Sequence, residues 1–392
     1  MSSPTGFPAE PRFAGSAERD HQYMRRALQL AERGLNSTDP NPRVGCVLVQ
    51  QRHEGDRIVG EGWTAPVGGP HAEVQALRAA GSEAAGSTAY VSLEPCAHFG
   101  RTPPCAQALI EARVARVVYA ADDPNPLVNG AGAAALREAG IAVMGGLLAG
   151  ESRALNPGFF RRMQTGLPWV RLKLAASLDA RTALASGESR WISGEAARAD
   201  VQRWRARSSV LLTGSGTALA DDPALNVRLP GAQRQPLRVL LDSTLRVPAQ
   251  ARLFAAPGQA LVFTASTDAG RRAALEQRGV RVESATPAAS GGGLALEPIL
   301  RFLAELSANE VWIEAGARLA GAFVNAGLID ELIVYLAPRL LGEQARPLLQ
   351  LPAPARLADA PRLRFVDCTQ IGTDLRLIAR PLAHGEKTPG SR

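Results

Sequence analysis

GGPHAEVQALRAA (residues 68–80) and LEPCAHFGRTPPC (residues 93–105) place one imidazole, one carboxylate and two thiols in the order that a hydrolytic metal site needs: His71, Glu73, Cys96 and Cys105. Zinc in a catalytic site takes three nitrogen or sulfur ligands and keeps a fourth position for water, whose pKa falls to about 7. A carboxylate two residues from the histidine is placed to shuttle protons rather than to ligate. Gly68-Gly69-Pro70 breaks the chain before an alanine-rich run, His71 to Ala80, that reads as a helix with His71 and Glu73 in its first turn. Thr88 to Leu93 reads as a buried strand, and Pro103-Pro104 start a second helix near Cys105. A thiol there gains from the helix dipole, which favours the thiolate that binds metal.

The H-x-E pattern followed by Pro-Cys and a second cysteine is the division of labour of zinc nucleobase deaminases, with Glu73 as general acid and base. The competing readings are a structural zinc site, which normally closes with four ligands, and plain core residues. The remaining cysteines, Cys46 and Cys368, lie in apolar strand-like runs and are expected in the core. His98, inside the loop between the two cysteines, stays open as a rival third ligand. The second cysteine of the simplest signature follows the first after two residues, whereas eight intervene here.

A chain of 392 residues exceeds what one core usually holds, so two domains are expected. The apolar fraction of 46% suits a globular protein, and no run of about 18 apolar residues is present. Residues 1–15, rich in Ser, Pro and Gly, carry no charged-then-apolar signal pattern. With too few cysteines for a disulfide framework, a cytoplasmic location is expected. The net charge of +7 is spread along the chain as arginine, without the long basic block or interleaved aromatics of a nucleic-acid binder. A phosphorylated small substrate explains part of it. The two rivals are a polynucleotide-editing deaminase, which 5% aromatic content disfavours, and a zinc-stabilised binding module in which Glu73 is incidental.

Periodicity marks a helix through Met24, Ala27, Leu28 and Ala31, strands at 44–49 and 58–61, then strand 117–120, helix 131–139 and strand 141–144. This alternation argues a three-layer α/β domain over residues 20–160, after an extension at 1–19. The pattern lapses between Asn156 and Gly166, where a linker is expected. A second α/β domain over 166–382, followed by a tail at 383–392, restarts at strand 169–175. Helix 195–206 and strands 209–213, 238–242, 260–264 and 311–314 follow, then helix 318–325 and apolar strands 332–337, 363–368 and 375–379. Lysine occurs only at Lys173 and Lys387, so Lys173 in its strand stands out as a functional ammonium or a snorkelling side chain. No G-x-G-x-x-G follows a strand. Thr213-Gly-Ser-Gly-Thr217 and Gly316 to Ala322 are weaker glycine features at the starts of helices, where backbone amides can cradle phosphate.

The long cysteine loop, together with Asp39-Pro-Asn-Pro-Arg-Val-Gly45, resembles the bifunctional pyrimidine deaminase/uracil reductase family of riboflavin biosynthesis. Lys173 to Asp179, Ser186 to Ile192, Ala220 to Leu225 and Glu314-Ala-Gly316 resemble its reductase segment, so the likeness spans residues 20 to 380. The resemblance implies a cytidine-deaminase-like domain followed by a dihydrofolate-reductase-like α/β domain, with Zn2+ and NADPH as cofactors. It implies zinc on His71, Cys96 and Cys105, and a phosphorylated pyrimidine substrate touching Asn41. In the second domain it implies substrate contacts at Lys173, Ser189, Arg205, Leu225, Arg228 and Glu314. NADPH contacts carry over to Ala175, Trp191, Thr217, Asp221, Ser243 and the run Gly316, Ala317, Arg318, Leu319, Ala320, Gly321 and Ala322. The implied reactions are deamination at the 2-amino group and NADPH reduction of the ribosyl to the ribityl group, in a homo-oligomer with neither nucleic-acid nor membrane partners. Ala180 departs from the glycine common in the family after Asp179, which is costly if the position is left-handed.

Overall fold

The computed structural model describes residues 17–52, 55–97, 104–126, 128–189, 191–289 and 291–382, and it divides into two compact units. His98, the rival ligand, lies outside the described residues, as do residues 1–16 and the tail from 383. The first unit comprises the chain to Gly34 and Arg43–Leu155. Its elements are α1 (Ala17–Glu32), β1 (Gly45–Arg52), β2 (Gly55–Trp63), α2 (Ala72–Ala80), β3 (Thr88–Leu93), α3 (Cys105–Glu111), β4 (Arg116–Ala121), α4 (Ala131–Glu138), β5 (Ala142–Met144) and α5 (Ala149–Leu155). The strands form one sheet in the order β2-β1-β3-β4-β5, antiparallel through β1 and parallel from β3 onward.

Strand alternation sends Val47 and Val49 to one face, where they pack with Met24, Ala27 and Leu30 of α1 and with Tyr90 and Val118. Cys46 and Leu48, fully buried, then face the opposite layer. Helix α2 lies almost on the backbone of β2: a Cβ added at Gly62 would sit 2.3 Å from the Ala72 carbonyl oxygen. That fixes the height of the helix carrying His71 and Glu73 above the sheet. Under α1, the Arg116 guanidinium donates to both oxygens of Asp20 at 2.9 and 2.7 Å, and Tyr90 Oη donates to Asp20 at 2.7 Å. These buried charges are therefore all paired.

The second unit comprises Leu35–Pro42 and Asn156–Arg392. It contains α6 (Pro157–Thr165), β6 (Trp169–Ser177), β7 (Arg181–Ala183), α7 (Glu195–Arg207), β8 (Val210–Gly214), α8 (Ser215–Asp221), β9 (Leu237–Leu241), α9 (Arg252–Ala255), β10 (Ala260–Thr264), α10 (Ala269–Glu276), β11 (Arg281–Ser284) and α11 (Leu296–Glu305). The remaining elements are β12 (Glu310–Glu314), α12 (Ala317–Asn325), β13 (Glu331–Ala337), β14 (Arg346–Pro347), β15 (Leu363–Ile371) and β16 (Asp374–Pro381). Nine strands run in the order β11-β10-β9-β8-β12-β6-β13-β16-β15, parallel from β11 to β13 and antiparallel thereafter. Apolar clusters cover both faces of this sheet, as a parallel sheet requires.

Two expectations change, and the condition attached to Ala180 is met. Residues 157–165 are not a linker but helix α6, with proline at its first turn, buried Phe159 and Phe160, and Gly166 closing it in the left-handed region. Phe159-Phe160 followed by Arg161-Arg162 within only nine residues hid a short amphipathic helix. Strand β15 is a sheet edge, so Cys368 is exposed rather than core. Ala180 has φ of +58°, so its methyl group bears the left-handed penalty of about 1 kcal/mol or more. That turn is nevertheless held firmly, because Asp179 accepts the Leu341 and Gly342 amides and the Ser177 hydroxyl. Its carboxyl is drawn down to about 2, chiefly by Ser177.

The segment Leu35–Pro42 is built into the second unit through Asp39. The Ser209 hydroxyl donates to Asp39 at 2.7 Å, and Arg234 pairs with it at 3.2 Å. Asn309 donates to Asp39 at 3.3 Å and to the Pro40 carbonyl oxygen at 2.8 Å. Ser209 Oγ in turn accepts the amides of Asn309 and Glu310, tying the starts of β8 and β12. Asp39→Ala should leave these buried groups short of a charged acceptor, at a cost of about 1.5–3 kcal/mol. Hydrogen exchange at the Asn309 and Glu310 amides should accelerate accordingly. Unchanged protection would show that the segment contributes nothing to this unit.

Candidate active sites

In the first unit three elements end at one point. His71 is the residue before α2 and adopts extended backbone (φ −70°, ψ 165°), Cys96 follows β3, and Cys105 opens α3. Their ligand atoms lie within 4.8 Å of one another, and they form the one such group among the described residues. His71 Nδ1 is 3.1 Å from Cys105 Sγ and 3.7 Å from Cys96 Sγ. A tetrahedral zinc with Zn–S near 2.3 Å and Zn–N near 2.0–2.1 Å calls for nitrogen–sulfur separations of about 3.5 Å. The donor set therefore fits zinc, with one coordination position left.

The electrostatics fit as well. Hydrogen bonding with the Cys105 thiol, opposed by burial and aided by His71, lowers Cys96 to about 4, while the same bond and then burial raise Cys105. Two thiols sharing one proton are what a dication would release as two thiolates. Its hydrogen bond to Cys96 raises His71 against the opposing effect of burial. Burial, then the charge of Cys96, lifts Glu73 to about 7, a value suited to taking and giving a proton at neutral pH. Glu73 is 4% exposed and sits in the first turn of α2.

Glu94, which the sequence reading passed over, holds the cysteine end of this arrangement. Buried directly before Pro95-Cys96, it accepts the amides of Asp123 at 3.3 Å, Gly130 at 3.0 Å and Ala133 at 3.2 Å. Helix α4 is thereby capped by the residue that leads into the ligand turn, and a Cβ at Gly132 would come within 1.8 Å of the Pro95 carbonyl oxygen. An acid in an otherwise apolar run just before Pro-Cys was the available signal.

In the second unit the chain reverses its progress across the sheet at β12, which returns between β8 and β6. In such sheets ligands bind beyond the carboxyl ends of the strands at that switch point. Glu314 ends β12 and pairs in register with Lys173 of β6. Arg205, on α7, donates Nε and Nη2 to Glu314 at 2.6 and 2.9 Å and Nη1 to the Asn226 carbonyl oxygen at 3.0 Å. Burial alone would raise Glu314, but Arg205 holds it down, to about 2. Burial lowers Lys173, whose ammonium has no hydrogen-bond partner among the described residues; Glu314, Arg205 and Asp221 supply the charges around it. Arg228 is exposed and feels both Arg205 and Glu314. Leu225 is buried beside a left-handed backbone (φ +44°).

Thr217 Oγ1 accepts the Gly316 amide at 3.0 Å, joining two expected cofactor positions. Gly316 caps α12 with extended backbone and no side chain, so the first amides of that helix are available to an anion. Within α12, Ala317, Arg318, Leu319 and Ala322 are half-buried or exposed. Ala320 and Gly321 are buried, and a Cβ at Gly321 would meet the Gln350 carbonyl oxygen at 2.0 Å, so these two act through packing. Ala175 lies on β6 beside Tyr335, and Ser243 follows β9. Trp191 is 62% exposed and stacks on Arg198, with the guanidinium 4.5 Å from the ring centroid. No contact links Trp191 or the half-buried Ser189 to the Glu314 cluster among the described residues. Asn41 lies in the 35–42 segment that groups with the second unit.

Fold and site together define a zinc-type hydrolytic deaminase unit joined to a second, reductase-type α/β unit. Residues 17–121 match the cytidine and deoxycytidylate deaminase zinc-binding region, and residues 168–377 match the RibD C-terminal domain. The riboflavin biosynthesis protein RibD of Escherichia coli (strain K12) is 49% identical over 370 residues, covering 91% of this chain and 98% of its own length. That of Haemophilus influenzae is 46% identical over 379 residues, covering 93% and 98%. The solved structure of Acinetobacter baumannii RibD, form 1, aligns with a TM-score of 0.87 at 45% identity, covering 94% of this chain and all of its own, or 100%. A diaminohydroxyphosphoribosylaminopyrimidine deaminase/5-amino-6-(5-phosphoribosylamino)uracil reductase from Thermotoga maritima aligns at 0.81 with 31% identity over 93% and 99% of the two chains.

The chain belongs to the RibD family. It is a bifunctional deaminase and NADPH-using reductase of riboflavin biosynthesis, with a cytidine-deaminase-like unit and a dihydrofolate-reductase-like unit. No helix among the described residues is long and apolar enough to cross a membrane.

Glu94→Ala should strip α4 of its cap and loosen the turn before Cys96, weakening zinc roughly 10- to 100-fold, as loss of a supporting group does. Metal competition with a chromogenic chelator measures this. Wild-type affinity in the variant would remove Glu94 from the support of the site.

Proposed function

We propose that the chain converts 2,5-diamino-6-(5-phosphoribosylamino)pyrimidin-4(3H)-one into 5-amino-6-(5-phosphoribosylamino)uracil, then reduces the ribosyl to the ribityl group with NADPH. The observation that carries the first step is the meeting of His71, Cys96 and Cys105 beside buried Glu73. Zinc, when bound, supplies an activated water for attack at the amino-bearing ring carbon. Glu73 would carry one proton of that water to the ring nitrogen and then the second, from the hydroxyl left on the ring carbon, to the amino group, which leaves as ammonia as the carbonyl forms. Asn41 is assigned to the pyrimidine.

For the second step the support is the strand-end cluster of Lys173, Glu314, Arg205 and Arg228. NADPH, when bound, supplies the hydride. Its assigned contacts are Ala175, Trp191, Thr217, Asp221, Ser243 and the Gly316 to Ala322 segment, with Ala320 and Gly321 shaping the helix rather than touching the ligand. Lys173, an ammonium with lowered pKa and no hydrogen-bond partner, is positioned to supply the proton that accompanies the hydride. Arg228, the exposed cation, is the phosphate ligand of first choice. Arg205 already spends its fork on Glu314, so its part in substrate binding is to orient that carboxylate. Ser189 and Leu225 complete the substrate assignment.

A homo-oligomer paired through β15 is part of the proposal. This edge strand exposes Phe365 at 70% and Leu363 at 44%, a combination that soluble proteins ordinarily cover. A cytoplasmic location accords with four unpaired cysteines.

Mass spectrometry of the products tests both steps on the full chain. Zinc-loaded enzyme without NADPH should accumulate the deaminated uracil phosphate, and adding NADPH should carry it to the ribityl product. Chelated enzyme should form neither from the diaminopyrimidine, yet should still reduce added uracil phosphate. Reduction of the undeaminated pyrimidine would reverse the proposed order.

A further inference from the structure

We propose that Gln235 and Gln202 are positioning residues of the reductase, which hold the main chain at Asn226–Arg228 so that Leu225 and Arg228 meet the substrate in a fixed arrangement; this rests on the reading that Leu225 and Arg228 touch the phosphorylated substrate.

Residues 222–229 form no helix or strand, and none of residues 223–228 makes a main-chain to main-chain hydrogen bond among the described residues. Leu225 has a left-handed backbone (φ +44°), which a bulky side chain rarely adopts, and Val227 is buried. Buried main-chain groups need partners, and here side chains supply them. The Val227 amide donates to Gln235 Oε1 at 2.9 Å, and Gln235 Nε2 donates back to the Val227 carbonyl oxygen at 2.9 Å. A primary amide carries an acceptor and a donor side by side, so one glutamine satisfies both groups of a residue as a neighbouring strand would. The next amide, that of Arg228, donates to Gln202 Oε1 at 2.9 Å, and the Asn226 carbonyl oxygen accepts Arg205 Nη1 at 3.0 Å. Three consecutive residues are thus held by three side chains from outside the stretch.

The holders are themselves fixed. Gln202 and Arg205 lie one turn apart on α7, and both are buried. Gln235 stands two residues before β9 and follows Arg234, whose Nη2 donates to the Ser208 carbonyl oxygen at 2.8 Å. Its stem runs against Gly258, where an added Cβ would come within 2.9 Å of it. The exposed Arg228 side chain is turned back on the same stretch, donating Nη1 to Asn226 Oδ1 at 3.3 Å. A stretch ordered before binding spares the substrate the cost of ordering it, and that saving appears in affinity rather than in the chemical step.

Steady-state reduction of the uracil phosphate by the zinc-loaded full chain tests this, with calorimetric titration of NADPH on the same preparation. Gln235→Ala, which loses two hydrogen bonds, should raise the KM for the uracil phosphate roughly 10-fold or more, while kcat and NADPH affinity stay within about threefold of wild type. Gln235→Glu keeps the size but sets a carboxylate oxygen against the Val227 carbonyl, and should be at least as damaging. Gln202→Met, which removes the bond to the Arg228 amide at nearly constant volume, should move the same constant in the same direction. Arg228→Ala should also raise this KM, and adding Gln235→Ala to it should cost less than the product of the two single effects, because both act on one contact. A wild-type KM in Gln235→Ala, a loss of kcat or NADPH affinity as large as the rise in KM, or a fully multiplicative double variant would overturn the proposal. A wild-type KM in Arg228→Ala would instead remove the underlying reading that Arg228 meets the substrate.

Discussion

Negative charge confined at a largely buried site is the constraint on which the deaminase unit turns. Two thiols and a carboxylate meet beside one imidazole, with Glu73 buried in the first turn of α2 and Cys105 fully buried at the start of α3. The hydrogen bond between the two thiols lowers Cys96 and, with burial, raises Cys105, so that one proton is shared between them. A dication held there would displace that proton, and on the proposed reading Glu73 is then left to move protons. The surrounding backbone is arranged to hold this cluster still: Gly62 lets α2 rest on the sheet, and Glu94 ties the Cys96 turn to α4.

The reductase unit solves a different problem with the same economy. A parallel sheet covered on both faces leaves its strand ends as the place for polar chemistry. Lys173 and Glu314 meet there because β6 and β12 are neighbours in register, not because they are near in sequence. Arg205 keeps Glu314 ionised despite burial, which sustains a charged partner for the lysine. With its fork on a bidentate carboxylate, Arg205 is less available to a phosphate than the exposed Arg228.

The candidate metal-binding cluster was legible from sequence because each of its residues sits at an element boundary marked by glycine or proline, and because thiolate and imidazole chemistry admits few alternatives. Most strands of the second unit were legible as apolar runs, since burial on both faces leaves little polar interruption. Three features were hidden for physical reasons. Helix α6 mixes arginines with two phenylalanines over only nine residues, too short for its period to emerge. The apolar look of β15 does not distinguish an exposed edge from a core strand. The incorporation of 35–42 into the second unit depends on Asp39 meeting Ser209, Arg234 and Asn309, partners 170 or more residues away for which no local pattern exists.

The central claim, that Glu73 moves protons at a zinc site held by His71, Cys96 and Cys105, is tested most directly by Glu73→Gln. Metal analysis and both activities are measured on the same preparation. The account predicts one zinc per chain, intact NADPH-dependent reduction of the uracil phosphate, and deamination lowered by roughly 10²- to 10⁴-fold or more. A variant that keeps zinc and deaminates at the wild-type rate would contradict it.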